Sequence, residues 1–570
     1  MKNRFVPTTV IALLSAIFFS PILGAEEDPA ESRFVDLSLL VAAEYPCTWA
    51  EGFPRFRIEH TAKIGPQSAY NLDTLIIDGN TGTQMDTPPH SVPRTSVGGL
   101  LSNKYGDEFT DKTPPWKFLG EACVVDTKDL LDQAENGHSP HVTMKYVVAW
   151  ETQHRPLQFG DVVLFQSNYS DHYYRPNPDG RRFMADVLEK KVPAWPDPIP
   201  DVMTFLAKER GVRHIGTDSP TMGTMPDLGE PVHYAALKYG AVFTEGATNL
   251  DALPAKGAVY CMMGPRHKDG PYGEGRAFGI VGGDLPTFLI DAARKKQVLD
   301  LSVVNSIDLP VTWPGKGVDR HRHRYTKNNF IWSDQLQLYH HGHIMDSHAG
   351  THLVPPSYAL APVAVAKVNY PLEVQPWIDE YTAEHGPIGT SDETTEKVSL
   401  AQTCGWVRVI DVGSLVGSTK EDQWPASPEI APSHITAYEA KSGKLKPGEI
   451  VLFRSGHTDR HFRPRTQANR CLADPINGKS EGWPALSADS VAYLAKKGIR
   501  CVGTDGPTLG GVDPKNALMT YWALGSKGMV GVEFLTNLNA IPDNKKAYFL
   551  FAPVKIRDCH GGPGRAIAVY

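Results

Sequence analysis

Short apolar runs rich in β-branched and aromatic residues recur along the chain, among them Val162 to Phe165, Ala258 to Met262 and Val451 to Phe453. Bounded by Gly or Pro, they predict buried strands. Helical periodicity is rarer. Asp201 to Arg210 places Val202, Phe205 and Leu206 at i, i+3 and i+4 and stops at Gly211, and Ser487 to Lys497 stops likewise at Gly498. Each of these helices feeds a strand ending in Gly-Thr-Asp. With 46 Pro and 51 Gly to supply turns, the pattern predicts a mixed α/β fold with substantial loops.

The same landmarks occur twice. Val35-Asp36-Leu37-Ser38 matches Leu299-Asp300-Leu301-Ser302, and Thr48-Trp49 matches Thr312-Trp313, both 264 positions on. Gly160 to Phe165 pairs with Gly448 to Phe453, Gly216-Thr217-Asp218 with Gly503-Thr504-Asp505, and Glu245, Asn249 and Leu250 with Glu533, Asn537 and Leu538. Order holds while the offset drifts to 288, as insertions in loops allow. The unit is of domain size, so two copies of one domain are expected, over 26–282 and 298–570 with a linker at 283–297. Fusion of a former homodimer would produce this arrangement.

Ahead of the first copy, Lys2 and Arg4 precede an apolar run from Val10 to Leu23 and then Gly24-Ala25 before Glu26-Glu27. That order predicts a secretory leader over 1–25 and an exported mature protein, with an uncleaved N-terminal anchor as the alternative. No other segment is long and apolar enough to span a bilayer. Seven Cys, none in a C-x-x-C pair, read as buried thiols. A net charge of −7 and the lone basic run Arg320-His321-Arg322-His323-Arg324 do not make a nucleic-acid surface. Asp171 with Arg175, repeated as Asp459 with Arg463, reads as a structural ion pair, and the Gly-rich stretches ending at Arg276 and Arg565 read as tight turns.

The candidate chemistry lies in Asn80-Thr81-Gly82-Thr83-Gln84-Met85-Asp86-Thr87-Pro88-Pro89-His90 and its altered copy from His348 to Tyr358. With His233 and Glu245 following in the first half, this resembles the cyclase family that includes bacterial kynurenine formamidase and isatin hydrolase, whose signature is H-x-G-T-H-x-D-x-P-x-H. The resemblance implies two mixed β/β/α domains of swivelling type arranged as a pseudo-dimer, with further homo-oligomerisation left open. It also implies Asp86, His233 and Glu245 as metal ligands, helped by Gln84 and Asn80 where the family has His, and His90 as the catalytic proton carrier. Two carboxylates and amide oxygens beside one imidazole form a hard donor set, which favours Mn²⁺ and admits Zn²⁺ or Mg²⁺.

In the second half Val354 and Tyr358 replace the ligand Asp and the catalytic His, and Thr520 lies near the place of His233. His348, His352 and Glu533 remain as a second-half candidate metal set, with His340, His341, His343 and Asp346 nearby in sequence. Aromatic residues near Trp49 or Trp313 are candidates for the pocket wall. The activity implied is hydrolysis of a formamide, cyclic amide or lactone by metal-activated water, akin to conversion of N-formylkynurenine to kynurenine. The alternatives are a non-catalytic small-ligand-binding protein on the same fold, or a lyase or dehydratase at the same metal.

Overall fold

The computed structural model describes residues 32–50, 54–314 and 325–570. The expected leader and the run Arg320 to Arg324 lie outside them. Among the described residues no helix is long and apolar enough to cross a membrane.

Each half is built on four adjacent parallel strands. These are Leu119–Asp126, Asp161–Gln166, His214–Thr217 and Val242–Glu245 in the first half. In the second they are Cys404–Asp411, Ile450–Arg454, Cys501–Thr504 and Val530–Glu533. The inner strands are continuous runs of buried residues, as strands covered on both faces must be. Antiparallel strands extend them to a nine-stranded sheet in the first half and an eight-stranded one in the second. The two expected helices form at Pro200–Thr204, prolonged by a wider turn over Phe205–Glu209, and at Ala488–Lys496. Val202, Met203, Leu206 and Ala207 are buried in the first, and Ala488, Ser490, Val491 and Leu494 in the second. Gly211 and Gly498, at φ of 67° and 79°, end them in the left-handed region that glycine tolerates.

The repeated residues hold equivalent joints. Arg276 clasps Asp36 through Nε and Nη2 at 3.0 and 2.9 Å, and Arg565 clasps Asp300. The hydroxyls of Ser38 and Ser302 accept from the backbone N–H groups of Ala277 and Ala566, each at 2.7 Å. Asp218 accepts from the Ser167 and Asn168 amides, and Asp505 from those of Ser455 and Gly456. The expected ion pair of Asp171 with Arg175 does not form. Arg175 donates instead to the Asp171 backbone carbonyl at 2.5 Å, while the Asp171 carboxylate accepts from Thr248 and Asn249. Asp459 and Arg463 repeat this arrangement. The aspartate thus closes a turn, and the arginine reinforces a short helix end. All seven cysteines are free and buried.

Between the halves, the helix Leu285–Arg294 lies within the expected linker and packs down, burying Leu289, Ile290 and Ala293 in a core shared with Leu550 and Ile567 of the second half. A four-stranded sheet also joins the halves, in the order Thr326–Ser333, Leu338–Asp346, Leu72–Asp78, Arg57–Ala62. Its central pair is antiparallel, with Ile76 opposite Ile344. Those isoleucines are 268 positions apart, the same separation as Asn80 from His348. Each therefore faces its own counterpart in the repeat.

Leu75, Ile77 and Met345, carried by this central pair, are almost wholly buried with Val311, Tyr325 and Val554. Leu75→Ala should therefore cost about 2–5 kcal/mol in urea unfolding through lost burial and the cavity left behind. A loss below about 1 kcal/mol would contradict the packing described.

Candidate metal centre and active site

The first motif folds as the short strand Gln84–Asp86, paired on one side with Val242–Glu245 and on the other with Tyr272–Glu274. This pairing puts Gln84 opposite Glu245 and Asp86 opposite Phe243 and Tyr272. Since alternate residues of a strand share a face, Gln84 and Asp86 point together. The helical turn Pro88–His90 then brings His90 back over Asp86. His233 arrives from the helix Gly229–Leu237.

Asp86, His90 and His233 offer ligand atoms that all lie within 4.8 Å of one another. His233 Nε2 is 3.3 Å from Asp86 Oδ2 and 3.2 Å from Glu245 Oε1, and His90 Nε2 is 3.8 Å from Asp86 Oδ2. The Nδ1–H of His233 donates to the Gly229 carbonyl at 2.9 Å, so its Nε2 lone pair faces the two carboxylates. A proton or a metal ion can occupy that position, and the two compete. Glu245 is anchored by the Met222 amide and by Gln84 Nε2, each at 2.5 Å. Asp86 is fully buried, yet neither of its oxygens has a hydrogen-bond partner. An orphaned buried carboxylate is costly unless a cation completes it, so these residues fit a divalent ion.

The electrostatics agree with that fit. Burial, then the charge of Glu245, pushes the Asp86 carboxyl up to about 7. Burial opposes protonation of His233, but Asp86 and Glu245 together hold its proton affinity well above the usual imidazole range. Burial, with His233 and His340 nearby, keeps His90 well below that range. His90 is therefore neutral near pH 7 and able to accept a proton.

The Cyclase family profile matches residues 35–223 and 299–510, more than half of the chain and once in each half. The chain belongs to the cyclase family. It is 30% identical over 184 residues to isatin hydrolase of Roseibium aggregatum, a match covering 31% of this chain and 64% of the relative, so just under two thirds of that protein's length is spanned. It is 26% identical over 194 residues to kynurenine formamidase of Salinibacter ruber, covering 33% and 71%. Among solved structures, isatin hydrolase A from Labrenzia aggregata aligns with a TM-score of 0.36 at 23% identity over 44% of this chain and 94% of its own. A Bacillus stearothermophilus protein described as a predicted metal-dependent hydrolase aligns with a TM-score of 0.30 at 18% identity over 48% and 97%.

Within this cyclase-family chain, the residues singled out from sequence do not all meet. Asp86, His90, His233, Glu245 and Gln84 come together. Asn80 instead lines a small cavity with Leu39, Pro46, Cys47 and Trp49, and Gln84 acts through its amide N–H on Glu245. In the second half His352 reproduces the His–Glu contact, its Nε2 lying 3.1 Å from Glu533 Oε2. The counterpart of His233 is Tyr521, not Thr520. The Tyr521 hydroxyl donates to Glu533 Oε1 at 2.5 Å, whereas Thr520 bonds the Leu486 carbonyl one residue round the helix. Among the described residues His348, His352 and Glu533 do not form a compact ligand triad. They line a cavity of about 320 Å³ with Trp313, Tyr358 and Tyr70. Of the two candidate tryptophans, Trp313 is thus at this wall, while Trp49 borders the cavity beside Asn80.

Sequence reasoning missed the residues that wall the first site. Tyr272 stacks edge-on against His90 at 5.0 Å, and its hydroxyl lies 3.0 Å from Nδ1 of His340. His340 belongs to the second half and is 6.0 Å from the His90 ring. It was grouped with the second-half ligands because it is near them in sequence; the pairing of Leu338–Asp346 with Leu72–Asp78 carries it to the other site. The run His340-His341-x-His343 was the visible signal, but nothing local reveals which half it faces.

Two outcomes follow for the centre. Elemental analysis should find a divalent ion that Asp86→Ala or His233→Ala abolishes and His348→Ala retains; loss with His348→Ala would move the centre to the second half. In metal-stripped protein the raised Asp86 pKa means that the folded state keeps a proton which the unfolded chain gives up above about pH 4. Stability then falls as pH rises toward about 7. Asp86→Asn should accordingly raise the melting temperature more at pH 8 than at pH 5, and equal gains would rule this out.

Proposed function

We propose that the protein is an exported metal-dependent hydrolase acting on a small formamide, cyclic amide or lactone, with catalysis in the first half. The observation that carries this reading is the buried Asp86–His90–His233 group, with an orphaned carboxylate facing two imidazoles. The names of the relatives, an isatin hydrolase and a kynurenine formamidase, support the substrate class. Asp86, His233 and Glu245 would hold the ion, with Mn²⁺ favoured by the two carboxylates. Once bound, a divalent ion supplies Lewis-acid chemistry, polarising a carbonyl and acidifying water.

The protein's own groups do the rest. The Gly229 carbonyl fixes the His233 tautomer, and Gln84 and the Met222 amide orient Glu245. Neutral His90 takes a proton from water at Nε2 and returns it to the departing nitrogen or oxygen. Tyr272 and His340 close the site from the side and exclude solvent. The self-facing register at Ile76 and Ile344 supports reading the chain as a fused dimer in which each half walls the other's pocket.

The cavity of about 320 Å³ in the second half favours a subsidiary role there, the binding of a small aromatic ligand without turnover. Tyr358 and Tyr521 occupy the places of the two first-site imidazoles, so no imidazole stands where His90 does in the first half.

His90→Ala should lower kcat on isatin or an N-formyl arylamine by about 10²- to 10⁴-fold while the bound metal is retained. If the metal leaves as well, His90 is a ligand rather than the proton carrier. Unchanged turnover would sink the proposal.

A further inference from the structure

Another set of metal-ligating side chains uses no residue of either copy of the family motif. His60 on the edge strand Arg57–Ala62 stands opposite Asp73 on Leu72–Asp78, and His560 reaches the same carboxylate from the turn before Gly562–Val569 in the second half. His60 Nδ1 is 2.7 Å from Asp73 Oδ1, and His560 Nδ1 is 3.1 and 3.2 Å from Oδ1 and Oδ2. We propose that His60, Asp73 and His560 form a divalent transition-metal site bridging the two halves.

Three features carry this. The first is spacing. One ligand atom from each residue lies within 4.8 Å of the other two. Metal–ligand bonds of about 2.0–2.2 Å set near right angles put neighbouring ligands about 3 Å apart, which is the separation seen at Asp73. The donor set is the second feature. Two imidazoles and one carboxylate suit Zn²⁺, Fe²⁺ or Co²⁺ and leave further positions open. Asp73 is fully buried, and the His560 backbone amide donates to its Oδ2 at 2.6 Å, holding the carboxylate as outer partners of metal ligands do. Access is the third. His60 and His560 are partly exposed and both line a cavity of about 730 Å³ with Asn71, Ser357 and Lys63, giving an ion an entry path and room for water or an exogenous ligand.

The site is not a relic of the repeat. The counterpart of Asp73, 268 positions on, is His341, so the equivalent junction has a different donor set. The competing account is a plain clamp in which both imidazoles donate to Asp73 and no ion enters. An ion would tie strands of the first half to a turn of the second, so occupancy should raise thermal stability.

The test is to load wild type, His60→Ala, Asp86→Ala and the double variant with Co²⁺, desalt, and record metal content, visible absorption and melting temperature. His60 sits on an edge strand and is partly exposed, so its truncation leaves the core intact; His560→Ala serves as an independent second removal. On the proposal, His60→Ala and His560→Ala each hold one ion fewer than wild type, and Asp86→Ala keeps a Co²⁺ that the double variant lacks. Added Co²⁺ raises the melting temperature of Asp86→Ala and not of the double variant. The proposal is overturned if Asp86→Ala holds no ion, or if the double variant holds as much as Asp86→Ala. Since the Asp86 centre is scored separately, failure here leaves the proposed activity standing.

Discussion

The antiparallel pairing of Leu72–Asp78 with Leu338–Asp346 is the constraint on which both pockets depend. Strand side chains alternate in direction, so one ladder sends Leu75, Ile77 and Met345 into a shared core and carries His340 to the first site. Tyr70, just ahead of the same ladder, stacks on Tyr358 at 4.8 Å in the second. A slip of one residue would exchange buried and exposed faces on both strands. Register is therefore held by the apolar positions, and the polar walls follow from it.

Within each half the electrostatic arrangement turns on a glutamate at the end of the fourth parallel strand. Glu245 and Glu533 are both saturated by a backbone amide and neighbouring side chains. The halves differ in what surrounds that glutamate. In the first, Asp86 is added beside it without a hydrogen bond of its own, its Oδ2 3.3 Å from His233 Nε2, and the paired carboxylates favour a cation between them. In the second, Val354 removes the excess charge and the Tyr521 hydroxyl satisfies Glu533 without any ion. One fold thus supports a cluster of two buried carboxylates and two imidazoles and, in its twin, a cavity walled by Tyr70, Tyr358, Tyr521 and Trp313, separated by a few side-chain replacements.

Much of this was legible in the sequence because it is local. Parallel strands announce themselves as apolar runs, the helix ends as glycines, and the order of the repeat landmarks reflects joints such as Arg276 with Asp36 and Arg565 with Asp300. The grouping of Asp86, His90, His233 and Glu245 was also readable, since their spacing follows a family pattern. The setting of Asn80, in a turn after Gly79 that borders a small cavity with Trp49, was not legible, since no spacing rule settles which way a turn residue points. Thr520 was read as lying near the place of His233; the place itself belongs to Tyr521, one residue on and about 100° round the helix axis. The Asp171 and Arg175 reading failed because charge complementarity does not reveal that backbone groups were nearer partners. The partners of His340 and His560 were illegible for a different reason: they are hundreds of positions away across the junction or, for His340, in the other half from the one it was grouped with.

Because a residue of the opposite half reaches each pocket, His340 at the first and Tyr70 at the second, carrying both halves in one chain changes what a single substitution can do. In two identical subunits, altering a wall residue alters both pockets at once. Here Asp73 and His341 occupy equivalent strand positions yet are encoded separately. Each pocket can therefore change in shape and charge while the other is left as it was.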